Sequence, residues 1–157
     1  MSRTLSEIVE LARHYCDLIE STAAGSASWL GEVAELLPRL HAGISSLGGL
    51  ASGAEVSLTP DLDARFELFT RLREILGERD PYWLEFDRVG EYHAMTGSLA
   101  DDLTDIYCEL RHGLDLIDEH PARAVQDWLT GFENHWGQHL VDAQRHLSAL
   151  ASQDRLG

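Results

Sequence analysis

An all-α, single-domain antiparallel bundle of about five helices is the fold this sequence predicts, and three observations predict it. Apolar residues recur at spacings of three and four through most of the 157-residue chain, helix-start and helix-stop signals bracket those runs, and no stretch shows β-alternation. One aromatic-rich irregular segment, 78–97, precedes the fourth helix. A chain of this length buries roughly two-thirds of the surface its unfolded form exposes, so 1–157 needs only one core.

The first helix is expected after Thr4, which has capping-box spacing to Glu7, with Leu5, Ile8, Val9, Ala12, Tyr15, Cys16 and Ile19 on its buried face. It should end in the small-residue stretch 21–28. A second pattern runs from Trp29 through Val33, Leu36, Leu37, Leu40 and Ile44 to Leu47. Its phase holds across Pro38, which predicts one helix, kinked or briefly broken there. Gly48 and Gly49 stop it, and 51–58 is a linker too short to separate domains.

Thr59, Pro60 and Asp61 form the third start, with a capping hydroxyl, a first-turn proline and an acid near the positive end of the dipole. Leu62, Phe66, Phe69, Leu72 and Leu76 then line one side and Gly77 ends the helix. In 78–97 the aromatics Tyr82, Trp83, Phe86 and Tyr92 are too many for a free loop. The segment should be pinned over the bundle, with a turn of helix near Tyr82 to Phe86.

The fourth helix, capped by Ser98, carries Leu99, Leu103, Ile106, Leu110, Leu114 and Ile117 on one stripe, with Asp102, Asp105 and Glu109 along its edge. His120 and Pro121 mark a tight connection. A long last helix then presents Val125, Leu129, Phe132, Trp136, Leu140, Ala143, Leu147 and Leu150, interrupted by Gly131 and Gly137. A glycine inside a helix costs roughly 1 kcal/mol against alanine, so close helix contact is the reason to expect for both.

The charge balance is extreme: 27 acidic residues face 12 basic ones, all arginine, for a net charge of −15. Such a surface repels phosphate backbones and disfavours direct nucleic-acid binding, while it keeps a small protein soluble and favours a basic protein partner. No run approaches the ~18 apolar residues of a membrane span, and no leader pattern opens the chain, so no membrane partner and a cytoplasmic location are expected. Cys16 and Cys108 read as reduced thiols. His112 lies four residues after Cys108, on the outer face, as a simple surface pair.

The residues that could carry chemistry lie on the last helix. His135, His139, Asp142 and His146 are spaced i, i+4, i+7 and i+11, which places them within about 60° of one another beside the apolar stripe. Imidazoles at i and i+4 can hold one transition metal, zinc or iron, and Asp102, Asp105 and Glu109 would add oxygen ligands if the two edges face each other. The Glu-x-x-His signature of di-iron bundles is missing, and position 136 is Trp and 138 Gln where a zincin motif needs its glutamate and a second spacer. Boundary histidines hydrogen-bonded to neighbouring carboxylates satisfy the same spacing. No phosphate loop and no recognisable nucleophile motif is present.

Three stretches together resemble the bacterial family DUF5063: DPYWLEFD at 80–87, SLADDLTDIYCELRHGL at 98–114, and a last helix with Trp128, Phe132, HWGQH at 135–139 and DAQRHL at 142–147. The resemblance covers the C-terminal half well, the first helix loosely, and leaves 22–54 largely unmatched. It implies the helical fold and carries no activity. Trp136, Gly137, Ala143 and Arg145 fit the family pattern, whereas the positions of His135 and His139 need not be histidine. It therefore directs attention to Asp101, Asp102, Asp105, Trp136 and Arg145 as a shared surface or packing lock.

The leading expectation is a non-enzymatic protein-binding or adaptor module without cofactor, using Asp101, Asp102, Asp105, Tyr82, Trp83, Trp136 and Arg145. The alternative is a metal-binding protein or metal-dependent enzyme built on His135, His139, Asp142, His146, Asp102, Asp105 and Glu109. A homodimer burying an exposed apolar face is the third.

Overall fold

The computed structural model describes residues 1–23, 26, 28–48, 61–84 and 95–157. These form an all-helical bundle with one small hairpin. Helix α1 spans Arg3–Ser21, α2 Trp29–Leu47 and α3 Leu62–Leu76; strands β1 (Pro81–Leu84) and β2 (Met95–Ser98) follow. Helix α4 spans Leu99–Leu116, and α5 (Pro121–Gly131) runs through a π-helical turn, Phe132–Trp136, into α6 (Gly137–Ser152).

The core forms around α4, which packs against α1, α3, α5 and α6 while α2 closes over α1 and α6. Leu99, Leu103, Ile106 and Leu110 of its apolar stripe are fully buried, as the spacing predicts. Ser98 caps the helix by accepting the amide of Asp101. Tyr15 of α1 ties in by donating its hydroxyl to the Leu103 carbonyl at 2.7 Å. Helix α2 runs through Pro38 without a break, so neither the missing donor nor the ring divides it.

Several local expectations are corrected. The cap of α1 is Ser2, whose hydroxyl accepts the Leu5 amide, so the Thr4 capping box does not form. Helix α3 is capped by Asp61, accepting from the amides of Asp63 and Ala64. Thr59, Pro60 and the 51–58 linker lie outside the described residues. The start of α3 also projects away from the core: Leu62 and Phe66 are 70% and 66% exposed, while Leu72 and Leu76 are buried.

The segment before α4 contains strands instead of the helical turn expected near Tyr82, in antiparallel register with Tyr82 opposite Gly97. An added Cβ at position 97 would run into the Tyr82 ring, so only glycine leaves that ring its place. Phe86 and Tyr92 lie outside the described residues.

The long last helix is α5 and α6 joined by the π turn, in which the Gly137 amide reaches back to the Phe132 carbonyl. Both glycines answer to close approach, as expected, but only one of them to another helix. A Cβ on Gly131 would stand 2.7 Å from Glu109 Oε2 on α4. One on Gly137 would strike the Phe132 carbonyl, the oxygen that closes the wider turn. Among the described residues no helix is long and apolar enough to cross a membrane.

Candidate functional site

The π turn aims the polar edge of the last helix at α4. Extra residues in a turn rotate everything after it, and here the rotation sets His135 and His139 against the acidic edge of α4, where Asp102, Asp105 and Glu109 are only 3%, 7% and 4% exposed. The two polar edges do face each other. The α4 carboxylates are buried, His139 is half-buried and His135 exposed, so the layer opens to solvent at the His135 edge.

Each histidine is held from behind by a carboxylate. His139 Nδ1 lies 2.7 Å from Asp102 Oδ1, and His135 Nδ1 lies 3.1 Å from Glu109 Oε1. The opposite nitrogens converge: His139 Nε2 is 3.0 Å and His135 Nε2 3.7 Å from the same atom, Asp105 Oδ2. The rings meet edge to face with centroids 5.0 Å apart. One donor atom from each of Asp105, His135 and His139 lies within 4.8 Å of the others, and Asp101, Asp102 and His139 make a second such trio on the Asp102 side.

A third element supports this layer. Arg65 of α3 donates Nε to Asp105 Oδ1 at 2.8 Å and Nη2 to Asp101 Oδ1 at 2.8 Å. Tyr82 of β1 donates its hydroxyl to Asp102 Oδ2. Asp80 fixes the hairpin on α4 by accepting the Ala100 amide at 2.7 Å and the Ser98 hydroxyl. Neither Arg65 nor Tyr82 as a network member was legible in the sequence. Their partners lie 36 to 40 and 20 residues away, with no periodicity to link them.

The electrostatics follow from burial and pairing. Burial pulls the His139 ring down, but hydrogen bonds to Asp102 and Asp105 and their charges outweigh it and push its pKa up to about 10. Burial pushes Asp102 up despite His139 and Tyr82, and Glu109 up despite His135. Asp105 is also desolvated, yet His139 and Arg65 hold it below the usual carboxylate range. Metal-free His139 is thus an imidazolium donating from both nitrogens.

Other candidates separate from this cluster. His146 turns away, with Nε2 at 2.6 Å from the Arg79 carbonyl and its ring stacked on Tyr82. Asp142 accepts from Gln138 and lines a small cavity of about 310 Å³ beside Tyr82 and Asp102. Trp136 is fully buried and donates its indole N–H to the Trp128 carbonyl, so it is a packing residue and no part of a surface. Asp102 and Asp105 likewise present no surface. Trp83 is 71% exposed and borders a groove with Arg145 and Tyr82. His112 is not an outer-face residue: its Nε2 lies 2.8 Å from Asp127, itself 2% exposed.

The model of the family described as "domain of unknown function (DUF5063)" matches residues 1–153. The chain belongs to the DUF5063 family. The match includes the 22–54 region that the sequence motifs left aside. Protein BF1032 from Bacteroides fragilis, known from a crystal structure, is similar in fold, with a TM-score of 0.73 at 22% identity over 96% of each chain. At that identity the likeness concerns the fold of this DUF5063 member alone. No curated protein matches it.

Proposed function

We propose that the chain binds a divalent transition metal, zinc or ferrous iron, through His135 Nε2, His139 Nε2 and Asp105, as a metal-dependent enzyme centre. One observation carries this reading: both histidines have Nδ1 held by a buried carboxylate, while both Nε2 atoms converge on one oxygen. Carboxylate behind imidazole is the arrangement that fixes ring and tautomer for a metal. With bonds of about 2.1 Å, donor atoms around a metal stand about 3.0 to 3.4 Å apart, close to the separations of 3.0 and 3.7 Å found here. The carboxylates Asp101, Asp102, Asp105 and Glu109 outnumber Arg65 and the His139 imidazolium, and a dication in place of the His139 proton offsets part of that excess.

His135 is half exposed, which leaves coordination positions for water or substrate, as in a catalytic rather than a structural centre. Metal uptake replaces the proton on His139 Nε2, so affinity rises with pH. The test is titration of chelator-treated protein with zinc and, anaerobically, ferrous iron, read by bound metal and melting temperature. About one metal per chain, lost in His139→Ala and His135→Ala and retained in His146→Ala, is expected. Failure of both metals to bind at equimolar concentration would refute the reading.

A second reading, a non-enzymatic protein-binding module, is supported by the exposed apolar residues Leu62 and Phe66 on α3 and Trp83 on β1 of a chain of charge −15. A basic protein partner or a second copy would cover them. Light scattering across concentration and a native pull-down test it: a concentration-independent monomer with no specific partner counts against it.

A further inference from the structure

We infer that the groove between α3 and α4 is a binding site for a small organic anion, a carboxylate or phosphate monoester carrying an apolar portion. The groove has a volume of about 470 Å³ and collects three of the twelve arginines, Arg65, Arg71 and Arg111, together with His112. Leu68 and Tyr107 supply apolar wall.

The guanidinium groups are anchored by part of their donors and keep others. Arg65 uses Nε and Nη2 on Asp105 and Asp101. Arg111 uses Nε and Nη2 on Asp115, and its Nη1 is 3.9 Å from Glu20, beyond hydrogen-bond distance. Arg71 spends Nη1 and Nη2 on the neutral carbonyls of Thr22 and Ile19, at 2.6 and 2.9 Å, so those contacts leave its charge unbalanced. Among the described residues, Arg65 Nη1 and Arg111 Nη1 have no hydrogen-bond partner.

Each of the three acids of the groove uses one oxygen. Asp61 caps α3, Glu20 accepts the Tyr107 hydroxyl at 2.6 Å, and Asp115 takes Arg111. An incoming anion meets N–H donors already oriented, the fork geometry that suits carboxylate and phosphate. His112, steadied by Asp127, gives one more polar contact. Through Arg65 the groove adjoins Asp105, yet the inference stands without a metal.

Cys108 lies in the same groove and Cys16 is fully buried, so alkylation of Cys108 reports what the groove attracts. In each reaction the thiolate displaces iodide: the S–C bond forms, the C–I bond breaks, and the thiol proton has gone to buffer. Iodoacetate and iodoacetamide meet the same thiolate, so their rate ratio cancels its pKa. On a chain of charge −15 with no anion site, the ratio of iodoacetate to iodoacetamide falls below that of glutathione. With the site it exceeds that of glutathione by about tenfold.

The measurement uses chelator-treated full chain. Hexanoate or inorganic phosphate should protect Cys108 and hexylamine should not; which anion protects identifies the source. Arg111→Gln, at a half-buried position and checked for folding by its melting temperature, should return the ratio toward that of glutathione. A ratio at or below that of glutathione, protection by hexylamine alone, or an unchanged ratio in Arg111→Gln would overturn the inference.

Discussion

Replacing His139 by glutamine should flatten the alkaline loss of stability. In the metal-free protein the His139 pKa is raised from 6.5 to about 10, because the bonds to Asp102 and Asp105 outweigh desolvation. A raised base stabilises fully below its unfolded pKa, and that contribution is lost as pH climbs toward the folded one. Between those values the native state carries one more proton than the unfolded chain, so unfolding free energy falls by about 1.4 kcal/mol per pH unit. From pH 7 to pH 9 the loss is about 3 kcal/mol, or about 6 to 12 °C in melting temperature for a chain of this size.

Glutamine keeps a donor for Asp102 and carries no proton to lose. Cys16, pushed up to about 12 by burial, and the raised phenols of Tyr15, Tyr82 and Tyr107 also weaken the fold at alkaline pH. They act in both proteins, so the difference isolates His139. The assay is urea unfolding at pH 7, 8 and 9 in the presence of chelator. If the difference between wild type and His139→Gln changes by less than about 0.5 kcal/mol over that range, the imidazolium is not held as described.

Three further outcomes test the packing. Gly131→Ala places a Cβ 2.7 Å from Glu109 Oε2 and 3.2 Å from Trp136, and should lower stability by about 1 to 3 kcal/mol in urea unfolding; a neutral result would mean that the π turn yields freely. Ile106→Ala or Trp136→Ala, each at a fully buried side chain, should destabilise by about 2 to 5 kcal/mol, and a loss under about 1 kcal/mol would mean the stripe is misassigned. Pro38→Ala, at an exposed position inside a continuous helix, should raise stability by about 1 to 3 kcal/mol by restoring a donor and removing a clash; an unchanged midpoint would show that α2 already absorbs the proline.

The apolar faces were legible because periodicity is a local property. The α4 stripe from Leu99 to Ile117 can be read from spacing alone, and every member is buried. Caps were less legible, since Ser2 and Thr4, or Thr59 and Asp61, are chemically equivalent starts that tertiary context decides. The hairpin was hidden because its strands are four residues each, too short to alternate visibly, and Tyr82 finds Gly97 fifteen positions on. The exposed Leu62 and Phe66 show the reverse failure: they fit the α3 stripe, but the core ends before it reaches them.

The candidate centre was legible by residue type and illegible by assignment. A straight helix puts His135, His139, Asp142 and His146 in one row; that row is long enough to meet two neighbours, since His146 stands about 10 Å beyond His139 along α6, level with the hairpin rather than the acidic edge of α4. His135 and His139 therefore meet Asp105, while His146 meets Tyr82 and the Arg79 carbonyl. What sequence spacing cannot supply is the nitrogen: whether Nδ1 or Nε2 points inward depends on which carboxylate stands behind the ring.

Buried ion networks are a weak route to stability, because desolvation offsets most of the attraction and apolar groups of similar volume often serve as well. Helix α4 has the inward positions to do that. Its stripe already holds six aliphatic residues, and leucine at 102, 105 and 109 would extend it. Instead three carboxylates are buried there, two imidazoles are brought against them by a π turn that needs Gly137, and Arg65 is drawn in from α3. Packing alone explains none of these choices. A cation shared by two Nε2 atoms and one oxygen would account for the orientation of both rings and the exposed edge of His135 together, and the metal reading is proposed on that ground.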